Sequence, residues 1–270
     1  MLNPINPKKS LGQHFLTCPW VLSDMTQAAH LSSSDTVLEI GPGTGVLTRP
    51  LAARVKKVIA IEKDEQLART LTLQLKSEHI TNVDILEGDI LTHVPALPPQ
   101  YKIVANIPYY LTARLLRLFL EKQEKKPSSI VLTIQKEVAQ RIIEQAPHEN
   151  LLALSVQVFG TPRIIAVVPA SCFSPKPKVD SAIISISDIS DEFFTSRHIQ
   201  KDAFFQLLHL AFTQKRKMLT NTLSSIASKK DIESDLRAIG VNTHARPQEL
   251  QKEQWALLAV TLQKFLKSLE

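Results

Sequence analysis

Cysteine is rare in this sequence, and histidine forms no recurring pattern. Cys18 and Cys172 are far apart and neither belongs to a CxxC pair, so we expect neither a disulfide framework nor a cysteine-ligated zinc site. Two isolated cysteines are typical of a protein in the reducing cytoplasm, where we expect this chain to act. The eight histidines include no HExxH or HxxxH array, so no metal site is predicted.

Long apolar runs are also absent. The longest, such as residues 164–168, fall far short of the roughly 20 residues that a membrane helix needs. Prolines at positions 4 and 7 interrupt any apolar core of a secretory signal, and we expect no membrane partner. Disorder as the main state is excluded, because 44% apolar and 21% charged residues are ordinary for a folded domain. At 270 residues, one large or two unequal domains are expected.

What the sequence does have is an excess of positive charge. Its 32 Lys and Arg residues against 26 Asp and Glu residues give a net charge of +6. The excess is denser after residue 190, where 12 basic residues face 9 acidic ones in a shorter stretch. A basic balance is a first sign of nucleic-acid binding, although a basic surface without a special partner would have the same composition.

Short runs rich in Val and Ile alternate with helical patterns between residues 36 and 145. The predicted strands cover residues 36–40, 57–61, 83–87, 102–105 and 129–134. The predicted helices between them cover residues 46–55, 65–77, 112–124 and 136–144. This order predicts an α/β fold with a doubly wound, mostly parallel, Rossmann-like sheet. Two further strand-like runs, residues 163–168 and 182–187, predict an antiparallel hairpin at the sheet edge.

A polar stretch over residues 188–198 is expected to be a linker between two domains, residues 1–190 and 191–270. Helical patterns after it cover residues 201–212, 216–226, 231–239, 247–250 and 253–269. In the first of these, Phe204, Leu207, Leu208 and Ala211 repeat at three and four positions, which is the spacing of one buried helix face. We therefore infer a larger α/β domain followed by a small all-α domain.

Three of the seven glycines fall within five residues, directly after the first predicted strand. A loop at Gly41, Gly43 and Gly45 must turn sharply and let a ligand approach its backbone, and both needs favour glycine. The GxGxG spacing argues against NAD or FAD, because the dinucleotide pattern has its third glycine where Val46 stands. A glycine-rich turn without a ligand is the alternative.

Two carboxylates end the second and third predicted strands. Glu62 lies 21 positions after Gly41, close to the ~20 expected for an acid that accepts hydrogen bonds from ribose hydroxyls. Asp89 can accept a hydrogen bond from the exocyclic amine of adenine. Each acid alone is more often a solvated loop residue, but together with the glycines they have the organisation of an S-adenosylmethionine site. Glu39, inside the first strand, either orients the loop, faces the methionine ammonium or is structural.

The fourth predicted strand runs into Asn106-Ile107-Pro108-Tyr109, which resembles the [N/D]PP[Y/F] signature of amino-methyltransferases. The N6 amine of adenine is a poor nucleophile because its lone pair is delocalised into the ring. The Asn106 side-chain oxygen and the Ile107 carbonyl can both accept its N–H bonds, which aims the lone pair at a methyl group. Pro108 fixes the turn, and Tyr109 can stack on an extruded base. Positioning then provides most of the rate.

Stretches along nearly the whole chain resemble the KsgA/RsmA (Dim-type) family of ribosomal RNA adenine dimethyltransferases. Residues 9–16 resemble its basic-x-x-GQ[N/H]FL segment, residues 173–181 its FxPxPKVDS loop and residues 211–219 its AFxxRRKxL helix. The resemblance implies that His14 and Leu16 contact the cofactor and that Phe173 faces Tyr109 across the target base. Ile90 and Asn106 are also predicted to contact the cofactor. The resemblance also implies RNA contacts by basic residues, which are Lys176, Lys178, Lys215, Arg216 and Lys217. Lys215 occupies a position where the family more often has Arg. Lysine lacks the planar set of donors of a guanidinium but keeps the charge.

The resemblance further implies a reaction. S-adenosylmethionine would donate two methyl groups to N6 of each of two adjacent adenosines in the 3′-terminal hairpin loop of small-subunit (16S) ribosomal RNA, leaving S-adenosylhomocysteine without a metal. The expected partner is the pre-ribosomal small subunit, and a monomer is expected.

Three alternatives remain. An erythromycin-resistance-type methylase would use the same site on large-subunit RNA, but residues 173–181 and 211–219 resemble the KsgA branch more closely. A non-enzymatic assembly or transcription factor would not need Asn106. A methyltransferase for small molecules or protein amines would not explain the basic second domain.

Overall fold

The computed structural model describes Lys8, residues 11–214 and residues 216–266. The chain forms two compact units, the first from residues 1–140 and 161–189 and the second from residues 141–160 and 190–270. One division falls close to the expected boundary at residue 190. Residues 141–160, however, belong to the second unit, although the sequence pattern assigned them to the first domain.

Nine strands are described, and all belong to the first unit. They are β1 (Phe15–Leu16), β2 (Thr36–Ile40), β3 (Lys57–Glu62), β4 (Val83–Glu87), β5 (Lys102–Asn106), β6 (Ser129–Gln135), β7 (Thr161–Val168), β8 (Phe173–Ser174) and β9 (Ser181–Ser187). Seven form one sheet in the order β4-β3-β2-β5-β6-β9-β7. The neighbours from β4 to β6 are parallel, whereas β9 is antiparallel to both β6 and β7. The predicted parallel sheet with an antiparallel edge hairpin is confirmed.

The order of the strands reverses at the centre of this sheet. From β2, the chain runs outward through β3 and β4, and then returns to the other side of β2 to form β5 and β6. In open α/β sheets, ligands bind beyond the carboxyl ends of the strands at such a switch point. The central strands are apolar and fully buried over Val37–Leu38 and Ile103–Ala105, so they hold the loops that follow them on a rigid base.

Helices cover this sheet at α1 (Pro19–Ala28), α2 (Thr48–Ala52), α3 (Glu65–Ser77), α4 (Thr112–Leu116) and α5 (Lys136–Ile143), the last of which ends in the second unit. The α3 bounds are those predicted, and Asp64 caps this helix by accepting a hydrogen bond from the Gln66 N–H. Helix α2 is shorter than the predicted 46–55. The Asn82 amide donates to the carbonyls of Ala52 and Val55, which ends the helix before β3. Helix α4 continues as a π-helical turn over Arg117–Lys122.

The second unit is helical. Its helices are α6 (Leu151–Gln157), α7 (Glu192–Thr195), α8 (Lys201–Phe212), α9 (Leu219–Thr222), α10 (Lys229–Ala238) and α11 (Lys252–Leu266). The expected linker over 188–198 contains α7, because Phe194 is buried against Phe159 and Phe204 at ring-centroid distances of 5.3 and 5.5 Å. Phe159 also stacks on Phe205 at 5.9 Å. These aromatic contacts explain why residues 141–160 belong to this unit.

The predicted helix over 216–226 is largely wrong, since only α9 forms there. The sequence between α8 and α10 is rich in Ser, Thr and Asn, whose side chains compete with a helix for the backbone. The Thr222 and Ser224 hydroxyls donate to the carbonyls of Leu219 and Asn221. Arg216 and Lys217 therefore lie in a turn rather than on a helix. Among the described helices, none is both long and apolar enough to span a membrane.

Strands β1 and β8 form a separate two-stranded antiparallel sheet, which places Leu16 opposite Phe173. The cysteines that follow β1 and precede β8 are joined in a disulfide, with 5.0 Å between the Cα atoms of Cys18 and Cys172. We expected no disulfide framework from two such distant cysteines, so this bond corrects the sequence-based prediction. They meet because β1 pairs with β8, which is a contact between distant segments that local sequence does not reveal.

Candidate active site

A pocket lies at the carboxyl ends of β2, β3, β4 and β5 in the first unit. The N-terminal segment, the glycine loop, the loops after three strands and β8 all contribute to its lining. The predicted site residues that line it are His14, Gly41, Gly43, Glu62, Asp89, Ile90, Asn106, Ile107, Pro108, Tyr109 and Phe173.

The glycine loop presents its backbone to this pocket. Gly41 has φ +68°, and a Cβ atom built there would meet nothing within 4 Å. Gly43 lets the Phe15 ring pack closely against the loop, because a Cβ atom at Gly43 would lie 2.9 Å from that ring. Its N–H donates to Oε2 of Glu62 at 3.0 Å. The loop is therefore bonded to the acid at the end of the neighbouring strand, with open space beside Gly41.

Two residues expected at the cofactor do not line the pocket. Leu16 is only 4% exposed and packs in the apolar core of the first unit. Gly45 has φ +78°, and a Cβ atom there would collide with the Leu71 side chain and lie 2.7 Å from that of Arg49. Gly45 thus lets the loop pack closely on α3, and Leu16 supports Phe173 through strand pairing.

Glu62 is a buried carboxylate with both oxygens held by the backbone. Oε2 accepts from Gly43, and Oε1 accepts from the Asp64 N–H at 2.9 Å. Burial raises its pKa, and the bonds from Asp64 and Gly43 oppose that rise. Each oxygen keeps a lone pair for a further donor, so Glu62 can accept from ligand hydroxyls without moving.

Glu39 is 1% exposed and does not line the pocket. Burial raises its pKa to about 8, and the nearby Glu62 adds to the rise. Its Oε2 makes no hydrogen bond within the described part of the chain. This position agrees with an orienting or structural role better than with direct contact to a ligand ammonium.

Asp89 is an ionised acceptor at the mouth of the pocket. Its Oδ2 pairs with Lys63 Nζ at 2.9 Å, and its Oδ1 accepts from the Leu91 N–H at 3.0 Å. The bond from Lys63 is the main reason why the pKa of Asp89 lies below its usual value. The neighbouring Ile90 is buried in the pocket wall, where it can contact the flat face of a ring.

Asn106 is held by one end of its amide. Its Nδ2 donates to the carbonyl oxygen of His14 at 3.0 Å, whereas its Oδ1 makes no hydrogen bond with the described residues. The neighbouring Ile107 is buried, and Pro108 accepts from the Leu111 N–H at 3.0 Å, which starts a helical turn over Tyr109–Leu111. The Asn106 oxygen is therefore oriented and available to accept a hydrogen bond.

Tyr109 and Phe173 provide aromatic surface in the same pocket. The Tyr109 hydroxyl bonds to Oγ of Ser181 at 2.8 Å, and its ring stacks on His14 with 5.8 Å between centroids. Burial raises the pKa of Tyr109, so the phenol is neutral. Nδ1 of His14 lies 2.6 Å from the Pro175 carbonyl. These bonds fix the N-terminal segment and the loop after β8 around the two rings.

The family model described as "Ribosomal RNA adenine dimethylase" matches residues 5–264, which is nearly the whole chain. The chain belongs to the ribosomal RNA adenine dimethylase family. It is therefore an S-adenosylmethionine-dependent ribosomal RNA methyltransferase, and the resemblance inferred from its motifs is confirmed.

Individual relatives agree with this family. The ribosomal RNA small subunit methyltransferase A of Dehalococcoides mccartyi is 39% identical over 264 residues, which cover 95% of this chain and 88% of the relative. The crystal structure of a dimethyladenosine transferase from Plasmodium falciparum has a TM-score of 0.83 at 27% identity, covering 93% of this chain and 98% of that one. The 23S rRNA methyltransferase ErmE has a TM-score of 0.74 at 26% identity, covering 92% and 99%.

The pocket of this dimethylase-family chain fits the methyl donor of its family. Open space beside the Gly41 backbone would be filled by a Cβ atom, Glu62 and Asp89 offer acceptor oxygens, and Ile90 offers an apolar surface. Glycine backbone, carboxylates and an apolar wall suit a nucleoside with ribose hydroxyls and an amine. The described residues include no group of three or more His, Cys, Asp or Glu side chains that could hold a metal.

The basic residues expected to bind RNA lie in both units. Lys176 and Lys178 are exposed in the loop after β8, in the first unit. Arg216 and Lys217 are exposed in the turn after α8, in the second unit. Lys215 lies outside the described residues. Exposed side chains of this kind suit contact with phosphate, which requires charge more than a fixed geometry.

Several lining residues of this methyltransferase were not predicted. Gly12, Gln13, Lys63 and Tyr110 all line the pocket. Each is a direct neighbour of a predicted residue or lies within a quoted motif, so adjacency was the available signal. Which neighbour faces a cavity depends on backbone direction, which the motifs alone do not specify.

Proposed function

We propose that this protein methylates N6 of two adjacent adenosines in the 3′-terminal hairpin loop of small-subunit ribosomal RNA, in the cytoplasm and as a monomer. One observation carries the proposal. The Asn106 amide is anchored by its nitrogen to the His14 carbonyl, which leaves its oxygen free in a pocket that also contains two aromatic rings and a nucleoside-type cradle.

The chain's contribution to the reaction is positioning. When bound, S-adenosylmethionine supplies an electrophilic methyl group on a positively charged sulfur. The Asn106 oxygen and the Ile107 carbonyl accept the two N–H bonds of N6, which turns the nitrogen lone pair toward that group. Because an amide does not take up a proton at neutral pH, the surplus proton on N6 leaves to water.

The donor would be held by residues of the loop and strand ends. Gly41 and Gly43 present backbone atoms to the methyl donor, and Glu62 accepts hydrogen bonds from its ribose hydroxyls. Asp89 accepts a hydrogen bond from its adenine amine, and Ile90 packs on its adenine ring. His14 supports this arrangement from the N-terminal segment, since its carbonyl holds Asn106 and its ring stacks on Tyr109. All of these groups except Ile90 make polar bonds within the described part of the chain, including one from the Gly41 N–H to the Ile61 carbonyl at 2.9 Å, and these bonds fix them before a ligand enters.

The target adenine would lie between Tyr109 and Phe173, after leaving its helix or loop stack. Phe173 is buried, and Tyr109 is tethered through its hydroxyl to Ser181, so both rings can bind a base with little loss of freedom. Outside the pocket, Lys176, Lys178, Arg216 and Lys217, with Lys215, would bind phosphates. We further propose that the second unit contributes to the choice of RNA.

The choice of the small subunit rests on sequence similarity. The relative at 39% identity is called a small-subunit methyltransferase, whereas the 23S rRNA methyltransferase shares 26% identity. Because both relatives share this fold, the fold alone does not distinguish their two RNA substrates. The higher sequence identity favours the small subunit.

Transfer of an isotopically labelled methyl group tests this proposal. Under-methylated small subunits and 23S RNA would be incubated separately with the protein and labelled donor, and the nucleosides would be analysed by mass spectrometry. We expect labelled N6,N6-dimethyladenosine at two adjacent positions of the small-subunit RNA. Label confined to 23S RNA would instead support the large-subunit alternative, and label on neither RNA would overturn the proposal.

A further inference from the structure

Tyr110 is a large aromatic residue that the proposed reaction does not use. It follows Tyr109 directly, lines the same pocket and is 51% exposed. The N-terminal segment supports one side of its ring, because a Cβ atom at Gly12 would lie 3.5 Å from the ring carbon Cδ1. The ring is therefore held at the mouth of the pocket with much of its surface open to solvent.

Two cationic side chains accompany this ring, one in the same pocket lining and one a helical turn further along the chain. Lys63 lines the pocket and remains 52% exposed while it pairs with Asp89. Arg114 is exposed on α4, four residues after Tyr110. Tyr110 and Arg114 are four positions apart in a continuous helical stretch, so they lie on one face of it. Because Tyr110 and Lys63 line the same pocket, the three side chains form one cluster beside the pocket mouth.

Arg114 is the member of this cluster whose charge is available to a ligand. Its guanidinium makes no ion pair or hydrogen bond with the part of the chain that is described. By contrast, Arg117 on the next turn pairs with Glu121 at 3.2 Å. A guanidinium matches the geometry of a phosphate, with parallel N–H bonds to two oxygens. Lys63 has three donors and uses one on Asp89, so it can also reach an anion.

An open aromatic ring with cations beside it is the usual arrangement for binding one nucleotide of a single strand. The base stacks on the ring, and the phosphate binds to the cations. This surface is continuous with the pocket that would receive the target adenine, so a strand whose base enters the pocket must pass the mouth. The nucleotide that arrives there is the neighbour of the target.

We propose that Tyr110, Arg114 and Lys63 form a second nucleotide site, which holds the RNA residue adjacent to the adenosine that is being methylated. Tyr110 stacks on its base, and Arg114 with Lys63 binds its phosphate. The site would select targets whose neighbour can be unstacked, as in a loop. This inference rests on the proposed function, because it requires an RNA substrate in the pocket.

Steady-state kinetics on under-methylated small subunits tests the site. For Tyr110→Ala, we expect KM for the subunits to rise about tenfold, because the neighbouring base loses its stacking surface, while the dissociation constant of the methyl donor stays within about twofold. Tyr110→Phe keeps the ring and should keep KM. Trp20→Ala is the matched control, because Trp20 is 41% exposed on α1 and does not line the pocket.

The salt dependence of RNA binding tests the phosphate contact. Arg114→Gln should weaken binding and lower the slope of log affinity against log salt by about one. Arg117→Gln, on the same helix but paired with Glu121, should leave the slope unchanged. A purely structural role of Arg114 would not change the slope.

The possible outcomes separate the two proposals. If the parent protein methylates the subunits but Tyr110→Ala retains the parent's KM, the second site is wrong and the proposed function stands. If the parent methylates neither RNA, both fail. Should Tyr110→Ala prove unfolded by circular dichroism, the slope for Arg114→Gln decides, and an unchanged slope overturns the site.

Discussion

In the first unit, the side chains assigned to chemistry lie at the ends of buried strands and are held by hydrogen bonds, as Asn106 is by His14 and Glu62 by Gly43. In the second unit, Arg216 and Lys217 lie exposed in a turn between short helices. Methyl transfer requires atoms within narrow limits of position, whereas binding a phosphate chain requires charge over a broad surface. The two units should therefore respond very differently to substitution.

Asn106→Ala should have the largest effect. Removing the oxygen that we propose accepts a hydrogen bond from N6 should lower kcat by about 10²- to 10³-fold, the loss typical of a single positioned polar group, while binding of S-adenosylmethionine persists. The check is methyl transfer alongside calorimetric titration of the donor. Asn221→Ala, at an exposed position of α9 in the second unit, is the control. Full turnover by Asn106→Ala would show that this amide does not activate the amine.

Gly45→Ala tests how tightly the first unit is packed. A Cβ atom there would collide with Leu71, which is 1% exposed and has little room to move, so we expect a loss of about 2–3 kcal/mol in the free energy of unfolding. Gly240→Ala in the second unit isolates the backbone cost, because Gly240 has φ +72° and nothing within 4 Å. It should lose about 1 kcal/mol, the cost of placing an L-residue in the left-handed region. Equal losses in urea denaturation would contradict the close packing.

Glu39 in the first unit and Glu149 in the second are buried carboxyl groups whose pKa values are raised mainly by burial, to about 8 and about 7 respectively. As pH rises above the ordinary carboxyl value, the unfolded chain ionises while the folded chain keeps its proton, so the free energy of unfolding falls until the folded group titrates. In Glu39→Gln, the fall in the free energy of unfolding that extends to about pH 8 should disappear. In Glu149→Gln, the corresponding fall, which ends about one pH unit lower, should disappear. The slope of each loss is at most about 1.4 kcal/mol per pH unit. Denaturation of the ligand-free protein from pH 5 to pH 9 measures both, and unchanged profiles would argue against buried protons.

Arg216→Gln and Lys217→Gln should have the smallest effects. Each removes one exposed charge, so KM for the small subunit should rise only about two- to fivefold, with kcat unchanged and the salt slope reduced by about one. Arg237→Gln, at an exposed residue that pairs with Glu233, provides the comparison within the same unit. A fall in kcat for either variant would mean that the second unit also positions reacting atoms.

The success of sequence-based prediction also differed between the units. Helix α3 has the predicted bounds because a capping Asp64 precedes a regular apolar spacing, and β2 and β4 are equally well defined by short Val- and Ile-rich runs. The segment over 216–226 has a helical apolar spacing but side chains that favour turns. Local spacing therefore succeeds where capping and composition agree with it, and fails where they conflict.

The site shows a similar limit. The glycine loop, Glu62 and Asn106 could be located because their chemistry requires particular residue types at strand ends. The positions of Leu16 in the core and Tyr110 at the pocket mouth depend on the pairing of β1 with β8 and on the direction of a single turn. Such non-local contacts leave no periodic pattern in the sequence.

The bond between Cys18 and Cys172 spans a sequence separation of 154 residues. Strands β2 to β7 all lie within the resulting covalent ring, while β9 lies outside it. A protease that cuts one loop inside the ring would leave a single molecule of unchanged mass, apart from one added water. Such nicked protein would migrate as two fragments on a gel only after reduction.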